Sequence, residues 1–159
     1  MTELSLVVNF QSTGGANPKP FLIYDSGEET EERLIVFASY EQLRHLAHSD
    51  HWFMDGNFAM APAIFQQLYI IRAPLAASSV TCVYAFLPNK SQATYERFLQ
   101  AVADTCEELG FTADPQCILT DFEQAVMQAS KAVFGPHLET KGASIISHNQ
   151  RGGKSQNLV

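Results

Sequence analysis

The chain of 159 residues is 46% hydrophobic and 11% aromatic, as expected for one folded domain with a substantial core. Its net charge of −7 argues against a nucleic-acid surface formed by this chain alone, because phosphate binding needs clustered lysines and arginines. The three cysteines are widely spaced and form no CxxC pair, which favours core thiols in a reducing compartment over a disulfide or a zinc site. No apolar run reaches the ~18 residues of a membrane span, and the N-terminus lacks the basic segment of a signal peptide.

The first fifty residues predict a flexible lead-in, a hairpin and a short helix. Residues 1–20 hold a candidate strand at Leu4–Phe10, which glycines and prolines then interrupt. Two apolar segments, Phe21–Tyr24 and Leu34–Phe37, are typical of strands, and the acidic loop that joins them is typical of a solvated hairpin tip.

Ser39 and Gln42 have the spacing of a helical capping box. We therefore expect a helix that runs to about His48 and buries Leu43 and Leu46. Histidines recur at every third residue here, namely His45, His48 and His51. A zinc site is the less favoured interpretation, because the helix should end before the last of them and no fourth ligand is near.

The next segment predicts a meander of three strands. The first is the stretch His51–Phe58, whose bulky residues suit a buried strand. It contains Asp55, which on its own reads as a strand-end acid that starts a turn at Gly56. The other two strands should lie at Leu68–Ile71 and Val80–Phe86, and we expect Pro74 and Ala76–Ser79 to form the turn between them.

A change of period then predicts helices. Apolar residues recur at three and four from Tyr95 to Leu109, with Ser91 as N-cap and Gly110 at the C-terminal end. The strand Cys117–Thr120 follows, and then a helix from Glu123 to Phe134 that Gly135-Pro136 stops. This β-β-β-α-β-α order predicts a mixed α/β sheet whose last strand is parallel to an earlier one.

Asp121, directly after the last strand, gives Asp55 a potential partner. By itself Asp121 is a good candidate N-cap for the helix that follows. If the two strands are neighbours, however, their backbones lie roughly 4.8 Å apart, and the two carboxylates repel unless a cation or a shared proton intervenes. Such a pair is typical of a metal site for phosphodiester chemistry. We expect the Asp55 strand to lie between the Leu68 strand and the Asp121 strand.

Four stretches together resemble the transposase domain of Mutator-like elements. They are Phe53–Phe58, Leu68–Ile71, Thr81–Ala85 and Ile118–Ala125. The resemblance implies a ribonuclease H-like fold and an Asp-Asp-Glu site that binds magnesium, with Asp55 and Asp121 as the first two catalytic and metal-binding acids. It divides the chain into a flexible lead-in (1–20), a β-hairpin and short helix (21–50), a partial ribonuclease H-like transposase domain (51–140) and an irregular tail (141–159).

The tail departs from the family pattern. After the second helix the family has a Gly-Cys-x-x-His-x-x-Gln motif and, far beyond it, the catalytic Glu, whereas residues 142–150 here contain no cysteine. We therefore expect a domain that is truncated before the third acid, with a short edge strand at Ala143–Ser147. Val126, Ala129 and Val133 should then stay partly exposed, which predicts marginal stability and self-association through an open sheet edge.

The family reaction is metal-dependent cleavage and joining of DNA strands, and without the third acid we expect this chain to be inactive. The alternative is a domesticated, non-catalytic module that binds proteins, with another copy or a full-length transposase relative as partner. A further alternative is an unrelated α/β domain whose two acids only cap helices. The resemblance implies a nuclear protein that acts on DNA, although the acidic charge weakens that expectation, and nothing indicates a membrane partner.

Overall fold

The structure is a computed structural model and describes residues 21–121 and 123–142. The candidate strand Leu4–Phe10 and the candidate edge strand Ala143–Ser147 lie outside these residues. The described part contains seven strands and three helices, in the order β1 (Leu22–Asp25), β2 (Ile35–Phe37), α1 (Tyr40–Ala47), β3 (His51–Asn57), β4 (Gln67–Leu75), β5 (Ser78–Leu87), α2 (Gln92–Glu108), β6 (Cys117–Thr120), α3 (Gln124–Phe134) and β7 (Glu139–Gly142).

All seven strands belong to one mixed sheet of order β1-β2-β5-β4-β3-β6-β7. From β1 to β3 in this order, adjacent strands pair antiparallel. Short links join β1 to β2, β3 to β4 and β4 to β5, whereas β2 and β5 are connected through α1, β3 and β4. Helices α2 and α3 are the crossovers that allow β6 to pair parallel to β3 and β7 parallel to β6. The predicted mixed α/β sheet, with the Asp55 strand between β4 and β6, is therefore confirmed.

The main core lies between the sheet and its helices. All three helices contribute side chains to one buried cluster, for example Leu43 from α1, Phe98 from α2 and Val126 from α3. The sheet contributes Trp52 and Met54, which are fully buried. A second, smaller cluster forms around Ile35, Phe37 and Phe65. Side chains alternate along a strand, so the two clusters occupy opposite faces of the sheet.

The first helix begins where the sequence predicts. The Ser39 hydroxyl accepts a hydrogen bond from the Gln42 amide, and the Gln42 side chain accepts one from the Ser39 amide. This capping box confirms the prediction, and so does the burial of Leu43 and Leu46. The second helix likewise begins after its predicted cap, because the Ser91 hydroxyl accepts a hydrogen bond from the Thr94 amide.

The predicted turn between β4 and β5 is wrong in its extent. Pro74 lies inside β4 opposite Ser79, and the hairpin closes at Leu75 and Ser78. Ala76, at the tip, has a φ of 52°. The pairs between β3 and β4 end at Arg72, so Pro74 has a paired strand on one side only. Proline is tolerated there because no amide is needed for a bond to β3.

The end of the domain also differs from expectation. β7 occupies the edge of the sheet beside β6, with Glu139 opposite Cys117 and Gly142 opposite Thr120. β7 therefore crosses the boundary predicted between the transposase domain (51–140) and the tail (141–159). Val126 and Ala129 are fully buried, so the prediction that they stay partly exposed is wrong, since they contribute to the main core. Val133 is half-buried.

Two smaller features complete the fold. Leu109, predicted as part of the apolar helix face, is 40% exposed, because it is the C-cap residue beyond the last helical turn. In the described part of the chain, no helix has the length and apolar character needed to span a membrane.

Candidate functional site

Asp55 lies inside β3 and does not start a turn. Its neighbour Gly56 is paired with Tyr69 in the β3–β4 ladder, and the strand continues to Asn57, which pairs with Leu68. The interpretation of Asp55 as a turn-starting acid is therefore wrong. The Gly56 amide donates a 2.9 Å hydrogen bond to the Asp55 carboxylate, which leaves the second carboxylate oxygen without a bond to this amide.

Asp121 follows the last residue of β6 and is exposed. The parallel register pairs Phe53 with Leu119, and Asp55 and Asp121 are each two residues further along. A step of two keeps a side chain on the same face of a strand, so the register brings the two acids to one face at the carboxyl ends of neighbouring strands.

Asp121 does not cap the helix that follows. The N-cap position of α3 is Glu123, and that residue makes no side-chain capping hydrogen bond. The alternative in which the second acid is only an N-cap is therefore wrong for Asp121.

The two carboxyl groups interact with each other. Burial raises the pKa of Asp55 above its usual value, the negative charge of Asp121 raises it further, and a hydrogen bond between the two carboxyl groups acts in the same direction. The amide of Gly56 opposes these effects because it stabilises the ionised form. Two acids that repel in this way favour a proton or a cation between them.

Beside the acids lies a buried hydrogen-bond chain that the sequence does not reveal. The Gln67 side-chain amide donates to the Tyr95 hydroxyl over 3.0 Å. That hydroxyl lies 3.2 and 3.3 Å from the two carboxylate oxygens of Glu123 and donates its proton to them. Gln67 is 1% exposed and Tyr95 fully buried. We call these three residues the Gln67–Tyr95–Glu123 chain.

A second buried hydrogen bond involves Thr120, the residue directly before Asp121. The hydroxyls of Tyr69 and Thr120 lie 3.1 Å apart and share a hydrogen bond. Burial raises the pKa of both Tyr69 and Tyr95 far above the neutral range, and the charges of Asp121 and Glu123 add to this effect. Both phenols are therefore protonated at neutral pH and available as donors.

Among residues 21–121 and 123–142, no set of three or more His, Cys, Asp or Glu side chains is arranged to hold a metal ion. The three histidines do not converge, since His45 contacts the Pro74 carbonyl, His48 contacts the Arg44 carbonyl and His51 begins β3. The three cysteines are free and buried. The catalytic and metal-binding roles of Asp55 and Asp121 stay predictions, which their proximity leaves open.

Comparison with known proteins gives one informative result. No curated protein matches the chain. A family model described as the MULE transposase domain matches residues 51–145, which is more than half of the sequence and includes both acids. This match agrees with the resemblance found in the sequence motifs and indicates a transposase-related function. The chain therefore belongs to the MULE transposase domain family.

Proposed function

We propose that Asp55 and Asp121 are the first two acids of a ribonuclease H-like transposase site that binds magnesium and acts on DNA. The observation that carries this proposal is their position on one face near the carboxyl ends of two adjacent parallel strands, where the charge of Asp121 adds to burial in raising the pKa of Asp55. Repulsion between two carboxylates does not stabilise a fold, so a purely structural role does not explain why the two acids lie together. A bound cation removes this repulsion.

The donor set fits magnesium. Carboxylate oxygens are the ligands that Mg²⁺ prefers, and protein sites commonly offer it one or two carboxylates while water fills the remaining positions. Asp55 and Asp121 would hold the ion. When bound, it would polarise a phosphate oxygen and lower the pKa of an attacking hydroxyl. The protein's own contribution is to hold both carboxylates at one edge of a rigid sheet.

A contact with DNA is supported beside the same strand end. Phe58 follows Asp55 by three residues and is 51% exposed, and the Lys90 ammonium lies 4.2 Å from the centre of its ring. The loop of residues 57–66 contains no charged residue, so no acid of that loop opposes a phosphate. An aromatic ring beside a cation suits contacts with the bases and backbone of a DNA strand.

The experiment that tests the metal site is a Mn²⁺ titration of the purified chain, followed by the loss of the electron paramagnetic resonance signal of free Mn²⁺. We expect saturable binding that Mg²⁺ displaces. Asp55→Asn and Asp121→Asn should each weaken binding at least about ten-fold, because each removes one of two charged ligands. Asp104→Asn, at an exposed carboxylate of α2, is the matched control. Equal affinity in all four proteins would refute the proposal.

We propose further that this polypeptide alone does not cleave or join DNA. Two carboxylates can hold one ion, whereas strand transfer of this kind uses two ions and a third acid. The test is incubation of labelled DNA with Mg²⁺ or Mn²⁺. Cleavage that is lost in Asp55→Asn would contradict inactivity. Absence of metal binding in the wild-type chain would instead favour the alternative of a non-catalytic interaction module.

A further inference from the structure

We propose that the Gln67–Tyr95–Glu123 chain is a positioning device that holds Asp121 against Asp55 in the geometry that binds a divalent cation. The proposal rests on the proposed function of the two acids as metal ligands. It assigns no metal contact to the three residues themselves. Gln67 packs against the residue after Asp55, Glu123 bonds to the backbone of Asp121, and Tyr95 joins the two.

By way of helix α2, the Gln67–Tyr95–Glu123 chain connects β4, the neighbour of the Asp55 strand, with the segment that follows Asp121. Gln67 lies in β4, Tyr95 in α2, and Glu123 directly before α3. Gln67 donates to Tyr95, and Tyr95 donates to Glu123, so every bond in the chain has one donor and one acceptor. Since Gln67 and Tyr95 are buried, water cannot replace these bonds without cost.

At one end, the chain is fitted to the backbone beside Asp55. A Cβ atom added to Gly56 would lie 2.3 Å from the Gln67 Oε1 atom and 3.0 Å from the Tyr69 ring. The Gln67 amide therefore fills the space that a side chain at position 56 would need. The absence of a side chain at Gly56 lets the amide reach Tyr95 while it packs against the residue after Asp55.

At the other end, the chain fixes the turn that carries Asp121. The Glu123 amide donates a hydrogen bond to the Asp121 carbonyl, so the two residues move together. Glu123 occupies the N-cap position of α3 but makes no capping bond with its side chain. Its carboxylate accepts from Tyr95 instead.

The test is metal affinity measured against stability. Tyr95→Phe keeps the ring and removes the hydroxyl, and we expect Mn²⁺ to bind about ten-fold more weakly, the lower end of the effect of removing a partner that orients a ligand. Ser130→Ala is the matched control. It removes a buried hydroxyl that donates to the Val126 carbonyl farther along α3, and it should leave the Mn²⁺ affinity unchanged.

Two substitutions at Glu123 separate positioning from direct ligation. Glu123→Gln keeps an oxygen that accepts from Tyr95, so its Mn²⁺ affinity should stay within about three-fold of the wild type. Glu123→Ala loses the acceptor and should resemble Tyr95→Phe. If Glu123→Gln weakens binding as much as Glu123→Ala does, the residue is a ligand and the proposal is wrong.

Amide hydrogen exchange gives a readout that does not need the metal. The Met127 amide bonds to the Glu123 carbonyl, and its exchange should become faster in Tyr95→Phe and not in Ser130→Ala. If Tyr95→Phe lowers the melting temperature but leaves the Mn²⁺ affinity and the exchange rate of the Met127 amide unchanged, the proposal is wrong. If the wild-type protein binds no Mn²⁺, the proposed metal site is wrong. The exchange rate of the Met127 amide then decides whether the Gln67–Tyr95–Glu123 chain holds the turn.

Discussion

The guanidinium of Arg33 and the carboxylate of Asp25 form two parallel hydrogen bonds of 3.0 and 2.8 Å across the β1–β2 hairpin. Arg33 is only 6% exposed, and its pairing with Asp25 offsets the cost of burying its charge. The bonds to Arg33 are the main reason that the pKa of Asp25 lies below its usual value of 3.8. The acidic loop between the two strands therefore surrounds a specific ion pair at its base.

We expect Asp25→Ala to lower the free energy of unfolding by about 2–3 kcal/mol, because it leaves a buried guanidinium without its main partner. Urea denaturation measures the change. Glu28→Ala is the control, since Glu28 is 41% exposed and 4.0 Å from Arg33, and should cost less than about 1 kcal/mol. Equal effects of the two substitutions would contradict the assignment.

The same pair predicts how stability responds to acid. Because the folded pKa of Asp25 is lowered, its contribution is fully present above the usual value of 3.8 and is lost as the pH falls through the folded value. Asp25→Asn should therefore flatten the decline of stability below about pH 4. A decline as steep as that of the wild type would show that other carboxylates cause it.

Asp55 predicts the opposite response. Its folded pKa is raised, so the wild type loses stability as the pH rises from 3.8 through that folded value, and the penalty persists above it. Asp55→Asn should increase stability at pH 7, by less than about 1 kcal/mol because the group is only half-buried. The melting temperature would rise by at most about 4 °C. Asp104→Asn should leave it unchanged.

Gly56→Ala should disrupt the site and the fold together. The added Cβ meets the Gln67 amide oxygen at 2.3 Å, so that amide must leave its place beside Tyr95. We expect a loss of about 1–3 kcal/mol, the usual cost of overpacking a filled core. In a Gln67→Ala background the same substitution should cost less, because the clashing atom is gone. A double-mutant cycle measured by urea denaturation tests this, and additive effects would contradict it.

Ala76→Gly should stabilise the β4–β5 hairpin. Ala76 has a φ of 52°, a left-handed conformation that glycine adopts without the penalty of a Cβ atom. We expect a gain of up to about 1 kcal/mol in the free energy of unfolding. Ala77→Gly, at the neighbouring position of the same turn, should instead be destabilising. Thermal denaturation of both variants checks the difference in sign.

Local signals in the sequence predicted those features that depend on neighbouring residues. The capping box at Ser39, the helix that begins after Ser91 and the strand Cys117–Thr120 are all found, because each depends on a short pattern. The position of β3 between β4 and β6 also followed from the sequence, whereas the pairing of β2 with β5 did not. Short links force antiparallel neighbours, and a helical crossover brings β6 parallel to β3.

Features that depend on tertiary packing were missed. β7 has the sequence Glu-Thr-Lys-Gly, which carries no apolar alternation, and it is a strand because its backbone completes the parallel ladder beside β6. The Gln67–Tyr95–Glu123 chain joins residues that are 28 positions apart at each step. No pattern in the sequence connects such residues before the sheet and helix are packed.

The parallel direction of β7 gives the protein a natural attachment point. Gly142 lies opposite Thr120, so the strand ends roughly 4.8 Å from the backbone that leads into Asp121. A peptide grafted after Gly142 would emerge at the acid-bearing rim and would not have to cross the sheet. A short graft with one glutamate could thus deliver a third carboxylate in cis, which makes position 142 the place to attempt the construction of a complete three-acid centre.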